Sequence, residues 1–213
     1  DDNSPDGTGK LADEMSRENP RIHVIHRPGK LGLGTAYVAG FHYGLEHGFD
    51  QILTMDGDMS HNPRHIPAMR ELAGRCNLVI GSRYVPGGSV RNWPFRRVIL
   101  SGVANQLARN LLGLHARDCT SGFRLYQAKA LARLNLDRIK SNGYSFLVEI
   151  LFYFQWKDMT VGEVPIVFIN RVEGTSKISQ DEVFKAVFTL FRLKLFMIGR
   201  GGFPSKPSLP PGL

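Results

Sequence analysis

Two acidic side chains one residue apart, Asp56-Gly57-Asp58, follow the short apolar run Ile52-Leu53-Thr54-Met55. Such a run predicts a buried strand, and alternation along it would send both carboxylates to one side, where two hard oxygen ligands can hold Mg²⁺ or Mn²⁺ on a diphosphate. With 11 aspartates in 213 residues the tripeptide alone carries little information. Its position carries more, because open α/β sheets bind ligands at the carboxyl ends of their strands. Downstream, residues 72–117 contain seven arginines, Arg83 and Arg97 among them, with no lysine and no acid. The guanidinium fork pairs bidentately with phosphate or carboxylate. Arg97 and Ser101 stand four apart in a predicted helix, on one face, where they could grip a single phosphate. The competing reading of any such run is a solvated basic face.

Two other constellations hold less chemistry. The turn Gly29-Lys30-Leu31-Gly32-Leu33-Gly34 is not a Walker A loop, since Leu31 follows the lysine, and not a dinucleotide fingerprint, since Tyr37 stands where the third glycine belongs. It remains a turn opening a helix, whose free N–H groups either face an anion or only close a tight connection. His61 and His65 are four apart, but Pro63 puts His61 ahead of the helix and the glutamate of a zinc-protease motif is absent, so both read as core or surface histidines.

The elements that must position these residues alternate. Thr8 is the expected N-cap of a helix over 9–18, followed by a strand at Ile22–Ile25, a helix to about His47, and the strand before Asp56. Next come a helix from Pro63 to about Ala73 and a buried strand Leu78-Val79-Ile80. Short connections between strands and helices predict a mostly parallel, Rossmann-like sheet with helices on both faces. A long loop, 84–93, breaks the rhythm before a helix over 94–112, and loops of that length are often functional. Helices near 127–134 and 144–157 and a strand over 161–169 follow, with Pro165 marking an edge or a bulge in that strand. Residues 181–198 form an apolar helix that either packs on the sheet or lies in a membrane interface with Lys185, Arg192 and Lys194 at the headgroups. The last segment, 199–213, has 4 Gly and 4 Pro and is expected to be a disordered tail behind a single domain over 1–198.

Composition narrows the class. A chain 42% hydrophobic and 22% charged can bury a core of its own. Two cysteines give no disulfide framework, and no run approaches the roughly 18 apolar residues of a membrane span. The net charge of +8 is segregated: residues 1–71 carry −4, 72–117 carry +7, and 183–213 carry +5. An acidic region beside an arginine-only region suggests a metal or sugar site facing a phosphate site. Nucleic acid is disfavoured, because the aromatics cluster in apolar stretches instead of interleaving with the basic residues.

Seven stretches in order carry a family resemblance: Asp1–Thr8 (DDNSPDGT), Arg27–Ala36 (RPGKLGLGTA), Met55–His61 (MDGDMSH), Gly81–Gly88 (GSRYVPGG), Thr120–Arg124 (TSGFR), Gly143–Phe146 (GYSF) and Arg171–Lys177 (RVEGTSK). Together they resemble the motif set of the polyprenol (dolichol) phosphate mannosyltransferases, inverting family 2 glycosyltransferases of GT-A fold. The resemblance runs from residue 1 to about 198. It implies transfer of mannose from GDP-mannose to a polyprenyl or dolichyl phosphate, with Mg²⁺ or Mn²⁺, by a peripheral protein at the cytoplasmic face of a membrane, held there by the C-terminal helix.

It also implies roles. Asp56 and Asp58 would hold the metal, with Ser60 standing where some relatives have a third, glutamine ligand. Asp1, Asp2, Gly57 and Lys177 would serve the donor, and Arg83, Arg97, Ser101 and Arg171 the acceptor phosphate, with Arg83 and Arg171 also catalytic. The family's first strand, which packs on the base, is expected before Asp1. The alternatives are the same chemistry with UDP-glucose or another nucleotide sugar, and a non-catalytic basic binding module.

Overall fold

The structure, a computed structural model, describes residues 1–170 and 180–202. Its strands are β1 (Gln51–Thr54), β2 (Leu78–Ser82), β3 (Ser89–Arg91), β4 (Arg124–Gln127), β5 (Val161–Pro165) and β6 (Val167–Ile169). Its helices are α1 (Thr8–Glu18), α2 (Leu33–Glu46), α3 (Ile66–Ala73, after a 3-10 turn at Pro63–His65), α4 (Phe95–Leu112), α5 (Ala128–Leu131), α6 (Tyr144–Trp156) and α7 (Gln180–Gly199).

Four strands form one sheet in the order β1-β4-β2-β5. β2 is parallel to β5, while β1 and β2 both pair antiparallel with β4, so three strands run one way and β4 is reversed between them. The expected α/β sheet covered on both faces is present, but two of its three strand pairs are antiparallel, because β4, which the sequence pattern did not indicate, is inserted between β1 and β2. Alternation along β2 divides the core. Leu78 and Ile80 face a large cluster with Phe41 of α2, Ala108 and Leu112 of α4, and Phe146, Ile150 and Phe154 of α6. Val79 faces the other side, against Met69 and Leu72 of α3. A strand buried at all five positions fits its continuous apolar sequence.

Pro165 acts as predicted. β5 ends there as the edge of the main sheet, and β6 departs to pair in parallel with β3, a short strand inside the predicted loop 84–93. Two local expectations are corrected. Thr8 is not the N-cap of α1; Gly7 takes that place with φ 86°, and Asp6 accepts hydrogen bonds from both the main-chain N–H and the hydroxyl of Thr8. Residues 22–25 join neither sheet; the main chain here meets Asp1, whose amino terminus donates to the Ile25 carbonyl at 2.8 Å and whose own carbonyl accepts from Arg27 N–H at 2.8 Å.

α7 packs Leu190 and Leu193 into the larger core cluster. Arg192 corrects a further expectation, since it does not point away from the protein. It donates to the fully buried Glu149 carboxylate at 2.7 Å and to Ser141 Oγ at 2.9 Å, and the same carboxylate accepts from Ser141 N–H at 2.8 Å. Glu149 is thus a structural anchor for α7 and lies outside the site. Arg192→Met strands a buried carboxylate and is expected to cost about 2–3 kcal/mol, read as a fall in Tm of roughly 4–12 °C. The predicted tail largely falls at 203–213, outside the described residues.

Candidate active site

The reversed direction of β4 builds the site. The carboxyl ends of β1 and β2 and the amino end of β4 lie at one edge of the sheet, so the segments 55–61, 82–84 and 118–122 converge there. They wall a cleft of about 710 Å³, together with Tyr37 of α2 and Tyr144 of α6. Asp56, Gly57, Asp58, Arg83 and Arg97 all line it.

β1 stops at Thr54, so strand alternation does not place the two carboxylates. A compact loop does. Met59 takes a left-handed conformation with φ 62°, and Asp58 Oδ1 accepts from the main-chain N–H of Ser60 at 3.1 Å and from its hydroxyl at 2.5 Å. Asp56 donates its main-chain N–H to His61 Nδ1 at 3.1 Å. His61 lies between Phe123, stacked at 5.0 Å, and Phe168, edge-on at 5.3 Å. Burial pushes the His61 pKa down, outweighing the pull of Asp56, and the main-chain N–H that it accepts requires a bare lone pair at Nδ1. Ser60 is buried and absent from the cleft lining, its hydroxyl spent on Asp58.

Behind Asp56 the backbone of Gly122 approaches closely. A Cβ there would lie 2.8 Å from the Tyr37 hydroxyl and 3.3 Å from Asp56 Oδ1, so glycine leaves the room these groups occupy. Burial first, and then the nearby Asp56 charge, push the Tyr37 hydroxyl pKa well above its usual value, and it stays protonated beside the carboxylate.

Arg83 follows β2 and is more committed than a free phosphate ligand. Its Nε and Nη2 donate to the two Asp118 oxygens, each at 2.7 Å, Nη2 also reaches Thr120 Oγ1 at 2.8 Å, and its main-chain N–H bonds Asp118 at 3.0 Å. Asp118 is fully buried. Trp93 serves as a plate for two guanidinium groups, Arg83 at 5.3 Å and Arg97 at 4.2 Å from its ring centre. Arg97 also donates to Asn170 at 2.8 Å. Ser101 accepts from the Tyr84 hydroxyl at 2.7 Å.

A second hollow, an apolar groove of about 220 Å³ between α4 and α7, opens from the same place. It is lined by Leu100, Val103, Leu107, Val187 and Leu190, with Ser101 along its wall. Arg83, Arg97, Thr120 and Tyr144 line both hollows and form their junction.

Other predicted site residues sit elsewhere. Asp2 is held by a bidentate pair with Arg27 at 2.7 Å and Asp1 accepts from Ser4 N–H; neither lines the cleft. The glycine turn closes on the protein itself, since Asn142 Oδ1 takes the Gly34 N–H at 3.0 Å at the start of α2. Arg171 and Lys177 lie outside the described residues, directly after Asn170. Asp118, Tyr37, Trp93 and Tyr144 were missed by sequence reasoning. Asp118 did leave a signal: it is the first acid after the acid-free stretch 72–117.

A D-x-D loop and arginines thus meet at the carboxyl edge of a helix-covered α/β sheet, the place where open α/β sheets bind their ligands. Residues 1–134 match the model for glycosyl transferase family 2, and the chain belongs to that family. It is 45% identical over 190 residues to the polyprenol monophosphomannose synthase of Mycolicibacterium smegmatis, covering 88% of this chain and 72% of that protein. It is also 45% identical over 192 residues to the undecaprenyl-phosphate mannosyltransferase of Micrococcus luteus, covering 90% and 79%. Among solved structures, glucosyl-3-phosphoglycerate synthase from Mycobacterium tuberculosis, in complex with Mn²⁺, UDP and glucosyl-3-phosphoglycerate, superposes with a TM-score of 0.60. The match is 19% identical and covers 91% of this chain and 66% of that one, a likeness of fold.

Proposed function

We propose that this chain transfers mannose from GDP-mannose to a polyprenyl or dolichyl phosphate, giving the β-mannosyl phospholipid and GDP, at the cytoplasmic face of a membrane. The observation that carries this reading is the continuity of a carboxylate-bearing cleft with an apolar groove through a junction holding two arginines. A phosphate on a long apolar chain matches that shape: chain in the groove, phosphate at Arg83 and Arg97, sugar donor in the cleft. The names of the two mannosyl-transferring relatives support the same assignment.

A divalent ion suits the cleft. Mg²⁺ and Mn²⁺ are commonly held by one or two carboxylates plus substrate phosphates and water, and Asp56 and Asp58 both open to the cleft as hard oxygen donors. Bound there, the ion supplies charge neutralisation for the leaving diphosphate. The remaining work falls to the protein. A phosphate monoester with a second pKa near about 6 is already a dianionic nucleophile at neutral pH, so no general base is required. Arg97, over the Trp93 ring, and Arg83, fixed by Asp118, orient it toward the donor.

Exposed apolar side chains flank the groove. On α7, Phe184, Phe188, Phe191, Leu195 and Ile198 form a stripe at helical spacing, and on α4 Phe95, Ile99, Val103 and Leu107 form another. No helix among the described residues is long and apolar enough to cross a membrane. Two apolar stripes beside an acceptor groove support peripheral seating on lipid.

The test is transfer of labelled mannose from GDP-mannose to polyprenyl phosphate in detergent or vesicles. Product is expected with Mg²⁺ or Mn²⁺, with none after chelation and with GDP-mannose preferred over UDP-glucose in competition. Transfer unaffected by chelation, or preference for UDP-glucose, would overturn the metal or the donor assignment respectively.

A further inference from the structure

The loop that carries Asp56 and Asp58 is exposed at Met59, projects past the end of its strand and contains a glycine, yet it must present two carboxylates in fixed relation. Free loops of this kind lose precision. Here the loop is closed into a ring: its last residue, His61, folds its side chain back and accepts the main-chain N–H of its first, Asp56, at 3.1 Å. Within the ring, Asp58 binds Ser60, and the Ser60 carbonyl accepts the N–H of Ile169 at 3.3 Å. The imidazole is clamped by Phe123 from the segment leading into β4 and by Phe168 from β6, so the ring of the loop is fixed to two separate parts of the fold. The histidine therefore touches three things at once: the amide that sets the Asp56 main chain, the wall beneath the cleft, and the strand that leads to Asn170 and Arg97.

We propose that His61 is a positioning residue for the divalent-ion site: as the Nδ1 acceptor for Asp56 N–H, it holds the two carboxylates in the arrangement that the ion requires. The role needs a lone pair at the Nδ1 position and a flat side chain between Phe123 and Phe168. It needs no proton transfer and no direct contact with ion or substrate. The inference rests on the metal reading of Asp56 and Asp58 given above. Residues that orient metal ligands typically govern affinity by about 10–100-fold.

The experiment uses Mn²⁺ itself as the probe, titrated into the full chain with GDP present and read by electron paramagnetic resonance. Four proteins are compared: the parent chain, Asp56→Asn, His61→Leu and His61→Asn. Leucine fills the space without an acceptor, whereas asparagine puts an amide oxygen at the same distance along the side chain as Nδ1. The proposal expects Mn²⁺ affinity to fall about 10-fold or more in His61→Leu and to return to within about threefold of the parent in His61→Asn. Thermal melts identify a variant that has merely unfolded, and nitrogen NMR shifts of the His61 ring in the parent chain provide a readout that needs no metal. They should show a proton on Nε2 and none on Nδ1.

Leucine and parent binding Mn²⁺ equally would overturn the proposal, as would equal loss in the leucine and asparagine variants, or a ring protonated at Nδ1. Retention of full Mn²⁺ affinity by Asp56→Asn would show instead that the metal reading has failed, and the role of His61 would fall with it.

Discussion

Replacing Asp118 with alanine is expected to destabilise the domain by about 3–5 kcal/mol, a drop in Tm of roughly 6–20 °C, and to remove transfer activity. The cost comes from what is left behind. Arg83 is buried, and both oxygens of Asp118 bond its guanidinium at 2.7 Å; without them a cation stays in the interior with Thr120 and aromatic faces for company. Asp118 also caps the N–H groups of Thr120 and Ser121, so the loop behind the cleft loosens as well. Burial alone would raise the Asp118 pKa, but the Arg83 charge and hydrogen bonds outweigh it and hold it below the usual carboxylate range. The sign follows. A depressed pKa contributes stability that is complete above the unfolded value of roughly 4 and is lost as pH falls through the lower folded value. Acid melts of the parent should show this loss, and those of the alanine variant should fall less steeply, by the share that Asp118 contributes. A paired change, Arg83→Met with Asp118→Leu, should recover part of the stability and none of the transfer: an apolar pair replaces the ion pair, but the main-chain N–H groups of Arg83, Thr120 and Ser121 stay without the Asp118 acceptor and nothing is offered to a phosphate.

The second large effect is catalytic. Changing Asp56 and Asp58 together to asparagine should lower the initial rate of mannose transfer by about 10³-fold, close to 4 kcal/mol in the barrier, with Tm moving by no more than about 2 °C. The two carboxylates are only part-buried and asparagine keeps an acceptor for Ser60, so the fold has little reason to respond. A double variant that retains a tenth of parental activity would remove these residues from the reaction.

The alternating elements and the place of the carboxylates could be read in the chain because each rests on local pattern: the apolar run of β2, Pro63 at a helix start, a D-x-D after a strand. β4 escaped notice for a physical reason. Its sequence Arg124-Leu125-Tyr126-Gln127 places a guanidinium inside the core, where three main-chain carbonyls, those of Ser121, Leu147 and Cys119, satisfy it. A buried arginine contradicts the hydrophobic alternation by which strands are recognised, and only the tertiary structure supplies its acceptors. The arginines divide in the same way. Arg83 and Arg97 were picked out by type, but the Asp118 pairing and the Trp93 plate join residues 35 and 4 positions away, and only the shorter spacing is local. Arg192 was misassigned because an exposed and an inward cation look alike on a helix until Glu149 is placed opposite.

The departure of β6 at Pro165 has a consequence for the order of folding. β3 and β6 pair residues 89–91 with 167–169, and β2 pairs with β5 across a similar interval, so the junction of cleft and groove is closed by contacts of long sequence separation. Such contacts pay their loop-closure entropy before any return and form late. A chain emerging from the ribosome can pair β1, β4 and β2 once Gln127 is free. It cannot set Phe168 against His61 or Asn170 against Arg97 until some forty residues more have followed. The edge that carries the cleft therefore matures late, and a nascent chain that has already paired β1, β4 and β2 still lacks the junction between cleft and groove.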